Sequence, residues 1–259
     1  MLATRVIPCL LLKNGGLVKT VRFRNPTYIG DPINAVKIFN DKEVDELMIL
    51  DIIATRQGKG PDFDLLSRIG REAFMPMGYG GGIRTLEEAK RILSLNFEKI
   101  IINAQALENL GFVHQLAKVC GSQSVVVAID VKKDSLGRPR VYGHTDGQTR
   151  KIELTTYAIQ VANNGAGEIL LNSVDRDGTF NGYDLNLIRM VSQVVNIPVV
   201  ALGGAGQLKD FAQAVQSGAS AVAAGSFFVF HGKHRAVLIT YPQKDELGQV
   251  LRVYEGLNQ

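Results

Sequence analysis

The sequence predicts an α/β fold, a (β/α)₈ TIM barrel built from two duplicated half-barrels. Three observations carry this: eight short apolar runs alternate with helical patterns, the chain has 259 residues, and it repeats itself at one constant offset. One barrel of this class takes about 250 residues, so a single domain accounts for the chain. Buried strands alternating with helices form a parallel sheet, and eight is the number that closes it. A doubly wound open sheet is the alternative, weakened because no glycine-rich dinucleotide fingerprint follows the first strand.

The first strand, 5–11, lies in MLATRVIPCLLLKNGG, which is too short and lacks the small-residue cleavage site of a signal peptide. Loop 12–30 carries Gly15-Gly16, Lys19, Arg22 and Arg24; a glycine-hinged cationic loop suits a lid over anions, and equally a plain surface loop. A helix near 31–43 starts at Asp31-Pro32. Strand 46–52 and helix 62–72 follow. Strand 74–79 ends in Gly80, Gly81 and Gly82, and Thr85 with Glu88 forms a capping box for helix 85–95. The second half continues the alternation. Its strands are 124–130, 168–172, 197–202 and 221–226, after strand 99–103 of the first half. Helices are expected near 108–119, 153–164, 184–195 and 207–217. No stretch approaches the roughly 20 apolar residues of a membrane span.

At an offset of 122, Glu46 matches Glu168, Pro76 matches Pro198, Gly81 and Gly82 match Gly203 and Gly204, and Leu86 matches Leu208. Several matches in one register beside equivalent strands point to internal duplication. The net charge of +4 is weak and dispersed, which argues against nucleic acid and permits an anionic small molecule. Cys9 and Cys120 suggest no disulfide framework, so a reducing cytoplasm is expected.

Glycine lets backbone approach an anion closely, and bare N–H groups at a helix start then hold it. The turns at Gly81-Gly82 and Gly203-Gly204-Gly206 therefore read as phosphate grips, or as tight turns without a ligand. Gly225-Ser226 would complete the second site, and Asn103-Ala104, 122 residues earlier, the first. Two sites across one barrel mouth suit a phosphorylated small molecule with a phosphate at each end. Asp175-Arg176-Asp177-Gly178-Thr179 follows the sixth strand on the same face.

IPCL at 7–10, GGGIR at 80–84, VAID at 127–130, GEILL at 167–171, DRDGT at 175–179, GYD at 182–184 and GGAG at 203–206 resemble the cyclase subunit of imidazole glycerol phosphate synthase, the HisF family. The resemblance runs from residue 1 to about 228. It implies a duplicated barrel that receives ammonia from a glutaminase (HisH-like) subunit at its N-terminal face and closes an imidazole on a bisphosphate substrate. No cofactor or metal is implied. Asp130 matches one of the family's two catalytic aspartates. Lys19 matches its loop lysine, and Asn103, Asp177, Gly178, Gly204 and Ser226 match phosphate-side positions. Arg5, Glu46, Lys99 and Glu168 match its ring of charges at the ammonia entrance, a ring that could alternatively serve stability alone.

Two departures stand out. The other catalytic aspartate belongs where this chain has Leu11, and an alkyl group exchanges no protons. Ala104 replaces a hydroxyl residue beside the first phosphate. After Phe228 the family continues into a charged amphipathic helix, whereas here Gly232, a β-branched run and Pro242 interrupt any long helix. His231 and His234 have the spacing of a metal pair without a third ligand. Residues 1–228 are thus read as the barrel and 229–259 as a divergent segment completing or covering it.

LLLK after the first strand and FVFHGKHRAVL near the end resemble the HisF-like branch associated with amidination of bacterial surface-polysaccharide sugars. That resemblance implies a cyclase-impaired chain relaying ammonia, with a glutaminase and a sugar amidotransferase as partners. A working cyclase of histidine biosynthesis and a phosphate-binding barrel without ammonia traffic are the competing readings.

Overall fold

The computed structural model describes residues 4–255. Its eight parallel strands are β1 (Arg5–Lys13), β2 (Leu47–Asp51), β3 (Met77–Gly80), β4 (Lys99–Ile102), β5 (Val125–Lys133), β6 (Glu168–Ser173), β7 (Val199–Leu202) and β8 (Ala221–Ala224). Each pairs with the next in chain order, and β8 pairs with β1, so the sheet is a closed (β/α)₈ barrel. The outer helices are α1 (Pro32–Asp41), α2 (Phe63–Glu72), α3 (Leu86–Leu93), α4 (Leu110–Cys120), α5 (Leu154–Asn163), α6 (Leu185–Ser192), α7 (Leu208–Gln216) and α8 (Lys244–Glu255).

The two-residue period of a strand divides the apolar residues between two cores. Ile7, Cys9, Met48, Val126, Leu170 and Val200 fill the barrel interior. Val6, Leu10, Leu47, Ile49, Val127 and Ile169 face the helices. Capping repeats with the duplication. Thr85 and Glu88 cap α3 reciprocally, and 122 residues later Gln207 and Asp210 do the same for α7.

Several local expectations needed correction. Strand β3 begins at Met77, not 74, because Pro76 has no N–H to donate and its carbonyl instead accepts from Leu47. The helix expected near 108–119 is interrupted at Asn109, which is extended (φ −150°) and caps α4 by accepting from the Gly111 N–H. The supposed loop 12–30 is a hairpin of Gly16–Val21 and Arg24–Gly30, turned by Arg22 and Phe23, both at positive φ as a two-residue hairpin turn requires. A second hairpin, extending from β5 through Pro139–Gly143 to Gln148–Thr149, was not anticipated.

The C-terminal segment does form a helix. Pro242 precedes α8 instead of breaking it, and α8 packs on α7. On the way, Phe230–His231 and Ala236–Val237 make a short exposed hairpin that carries His231 and His234. Tyr241 then stacks on Phe228 at 5.4 Å and donates to the Val6 carbonyl at 2.8 Å, pinning the chain to β1. No helix among the described residues is long and apolar enough to cross a membrane.

Candidate functional site

At the N-terminal end of the barrel, Arg5, Glu46, Lys99 and Glu168 come together as one ring. Lys99 Nζ lies 2.8 Å from Glu46 Oε2 and 2.8 Å from Glu168 Oε2. The Arg5 guanidinium pairs with the same two carboxylates. Arg5, Lys99 and Glu168 begin strands and Glu46 directly precedes β2, so the alternation that fills the interior also sets the ring across the narrow end. Glu46 and Glu168 are buried, and Glu46 Oε1 has no hydrogen-bond partner. Buried ion pairs gain little net stability because desolvation offsets their attraction.

At the C-terminal end the strand tips surround a cavity of about 360 Å³. Asp130, Asn103 and Asn172 form a polar cluster on one wall. Asn172 Nδ2 donates to Asp130 Oδ1 at 3.1 Å, and Asn103 Nδ2 donates to Asp130 Oδ2 at 3.3 Å and to the Ala128 carbonyl at 2.8 Å. Burial pushes the Asp130 carboxyl up to about 6; the charge of nearby His144 and the Asn172 hydrogen bond oppose that rise, and Asp177 adds to it. Such a value suits proton exchange near neutral pH. Strand β1 is four strands from β5 around the ring, so Leu11 stands on the wall opposite Asp130. Leu11 pairs in register with Leu50, and both pack against the interior core.

The hairpin 16–30 is docked over the mouth. Thr20 Oγ1 donates to Asp177 Oδ2 at 3.0 Å, and the Arg22 N–H donates to the Asp177 carbonyl at 2.9 Å. Lys19 is thereby buried; its Nζ donates to the Cys9 carbonyl, and burial lowers its pKa. Gly225 leaves the room that Lys19 occupies, since an added Cβ would lie 2.1 Å from Nζ. Burial raises the Asp177 carboxyl, with Lys19 and Thr20 opposing.

The expected phosphate positions fall at equivalent places. Asn103 and Gly225 begin the short helices Ala104–Glu108 and Ser226–Val229, and neither has a side-chain capping bond. The two residues stand beside the turns at Gly81-Gly82 and Gly203-Gly204. Gly204 has φ +112°, and a Cβ there would lie 2.2 Å from the Gly182 carbonyl oxygen, so the turn requires glycine. Gly178 lies against the Thr20 backbone. The Gly82 N–H is already committed to Thr55 Oγ1 at 3.1 Å, and the Asn103 side chain serves Asp130.

Sequence reading missed Asn172, His144 and Thr20. Asn172 carried a signal: it is an amide at the mouth end of EILLNS, on the inward face it shares with Glu168 and Leu170. His144 comes from the unanticipated second hairpin; its Nε2 lies 2.8 Å from the Ile52 carbonyl and its ring meets Phe23 edge-on at 5.5 Å.

Residues 5–235 match the family model described as "Histidine biosynthesis protein". The chain is 50% identical over 248 residues to "Putative imidazole glycerol phosphate synthase subunit hisF2" of Pseudomonas aeruginosa, covering 95% of this chain and 99% of that one. It is 50% identical over 251 residues to "Putative imidazole glycerol phosphate synthase subunit HisF" of Leptospira interrogans, covering 95% and 98%. It is 39% identical over 249 residues to "Imidazole glycerol phosphate synthase subunit HisF" of Exiguobacterium sibiricum, covering 95% and 97%.

Proposed function

The chain belongs to the histidine biosynthesis protein family as a HisF-like synthase subunit, and we propose that it relays ammonia without closing an imidazole. The N-terminal face docks a glutaminase subunit, and the Arg5/Glu46/Lys99/Glu168 ring gates ammonia into the barrel. The mouth binds a phosphorylated small molecule through the turn at Gly81 and Gly82, whose Gly82 N–H exchanges Thr55 Oγ1 for the ligand, and the backbone after Asn103 on one side, and through Gly178, Gly204, Gly225 and Ser226 on the other, with Lys19 and Asp177 over it. Ammonia then passes to a sugar amidotransferase that amidinates a bacterial surface-polysaccharide sugar in the cytoplasm. The described residues up to 228 supply the barrel for this role, and those from 229 to 255 complete its outer wall.

One observation carries the reading: Leu11, an alkyl group, faces Asp130, so the acid–base pair that cyclisation needs is missing one member while the charged ring is kept. The test pairs the chain with the HisH-like glutaminase of its own genome and measures glutamine hydrolysis with and without it. Binding with altered hydrolysis supports the relay; absence of binding overturns it.

A working cyclase of histidine biosynthesis is the second reading, favoured by Asp130 near its working range and by Lys19 held in the cavity. Turnover of the ribulosyl-aminoimidazole bisphosphate with ammonium at an ordinary cyclase rate would establish it.

A further inference from the structure

The Asp130 cluster contains two acceptors that nothing satisfies. Asn172 Oδ1 and Asn103 Oδ1 are both buried and without a hydrogen-bond partner. The orientation of each amide is fixed by its other end. Asn103 Nδ2 must face the Ala128 carbonyl, which only accepts, and Asn172 Nδ2 faces Asp130 Oδ1. With Asp130 ionised, as in the ammonium-bound state, each Oδ1 is therefore left over. Asn172 is 7% exposed, and buried acceptors nearly always have a donor. Gly203 leaves space beside Asn172 Oδ1, since an added Cβ would lie 2.7 Å from it. The surrounding interior side chains are apolar: Ala128, Leu170 and Leu202.

We propose that Asp130, Asn103 and Asn172 form a binding site for a single ammonium ion in transit between the N-terminal ring and the mouth. The proposal rests on the ammonia-relay reading and names the station at which the relayed molecule stops. Ammonium offers four N–H donors, and the cluster offers one carboxylate and two spare amide oxygens. Among the described residues no salt bridge reaches Asp130, and nearby His144 acts on it only through its charge, so the carboxylate is free to take a cation directly. The proton balance closes within the site. Arriving ammonia takes the proton of the neutral Asp130 carboxyl, an N–H bond forming as the O–H bond breaks, and leaves an ammonium–carboxylate pair. On departure toward the mouth the proton returns to Asp130 and neutral ammonia is released. The raised Asp130 value fits this exchange, because the carboxyl is protonated more readily than an exposed one. The other half of the barrel has leucine at both corresponding positions, so the station exists on one wall only.

The test follows the Asp130 carboxyl by NMR in the isolated full chain labelled with [4-¹³C]aspartate, the signal being assigned with Asp130→Asn. Titrations are run in ammonium, sodium and tetramethylammonium chloride at equal ionic strength. Ammonium binds the ionised form, so it should lower the Asp130 midpoint by about one unit, a tenfold effect, with the other salts leaving it in place. Asn172→Leu, which copies the leucine already present at 50, should weaken ammonium binding about tenfold. Equal midpoints in all three salts overturn the proposal, as does unweakened ammonium binding by Asn172→Leu. If that variant does not fold, the comparison of salts decides alone. A chain that binds ammonium here but no glutaminase keeps the site and loses the relay; one that binds glutaminase with no ammonium effect loses only the site.

Discussion

Asp130 and Asn172 face each other across neighbouring parallel strands, joined at 3.1 Å, and the pair has an apolar counterpart in the other half of the barrel. Leu50 lies 122 residues before Asn172, and its register partner is Leu11. Two copies of one ancestral half thus carry opposite chemistry at the same height. A carboxylate placed opposite Asp130 would enter a wall made of leucine, with no amide beside it to donate.

That geometry sets the outcome of restoring the missing acid. The unaltered chain should show little cyclase turnover with ammonium, about 10²–10⁴-fold below an ordinary cyclase. Leu11→Asp should recover only part of this loss, because Leu50 offers no hydrogen bond and Ala104 also departs from the family. Steady-state turnover of the bisphosphate checks both, and near-ordinary activity of the unaltered chain refutes the first.

Lys99→Met removes the cation shared by Glu46 and Glu168, leaving Arg5 as their partner. The protein should stay folded, melt several degrees lower because two buried carboxylates lose a partner, and fail to couple glutamine hydrolysis to ammonia delivery. A lower melting temperature with coupling intact would make the ring purely structural.

Gly204→Ala should abolish binding of inorganic phosphate at the second-half turn. The new methyl group would lie 2.2 Å from the Gly182 carbonyl oxygen in a backbone with φ +112°, so the turn must open. Phosphate titration followed by calorimetry should then report one site in place of two. Two sites in the variant would place the anion elsewhere.

Tyr241→Phe deletes the hydroxyl that donates to the Val6 carbonyl at 2.8 Å while keeping the ring on Phe228. The expected cost is about 1 kcal/mol, seen as a melting temperature lower by roughly 2–4 °C. An unchanged melting curve would mean that the C-terminal segment is held by packing alone.

The pH dependence of stability should carry the signature of Asp130. Its folded-state value, about 6, lies above the ordinary 3.8, so the folded chain binds its proton more tightly than the unfolded chain. The resulting stability is present below about pH 4 and is lost as pH rises through about 6. Asp130→Asn removes that loss and should melt higher than the unaltered protein at pH 7.5, on the order of 5 °C. The two curves should converge near pH 4. A gap independent of pH would show that Asp130 titrates normally.

The order of elements, the duplication and the placement of most candidate residues at the two ends of the barrel were legible because they rest on local signals. Apolar runs at a period of two, capping residues and paired glycines announce themselves within a few positions, and the 122-residue offset ties the halves together. The same offset marks Glu46 and Glu168 as equivalents, and in the folded barrel both pair with Arg5 and Lys99. Boundaries at Pro76 and Asn109 were less legible, because one missing donor or one extended residue moves an element's end without changing its pattern.

What only the tertiary structure decided was which residues share a proton, a charge or a lid. Asn172 reads as one of three polar residues in EILLNS until β6 lies beside β5 and places its amide on Asp130. Lys19 reads as a loop cation until the 16–30 hairpin folds it over the mouth, where burial lowers its pKa. The sequence by itself determined the barrel and the alkyl side chain at position 11, since both follow from residue type and spacing. The charge state of Asp130 and the closure of the mouth depend on desolvation and on contacts between distant segments, and these exist only once the barrel has closed.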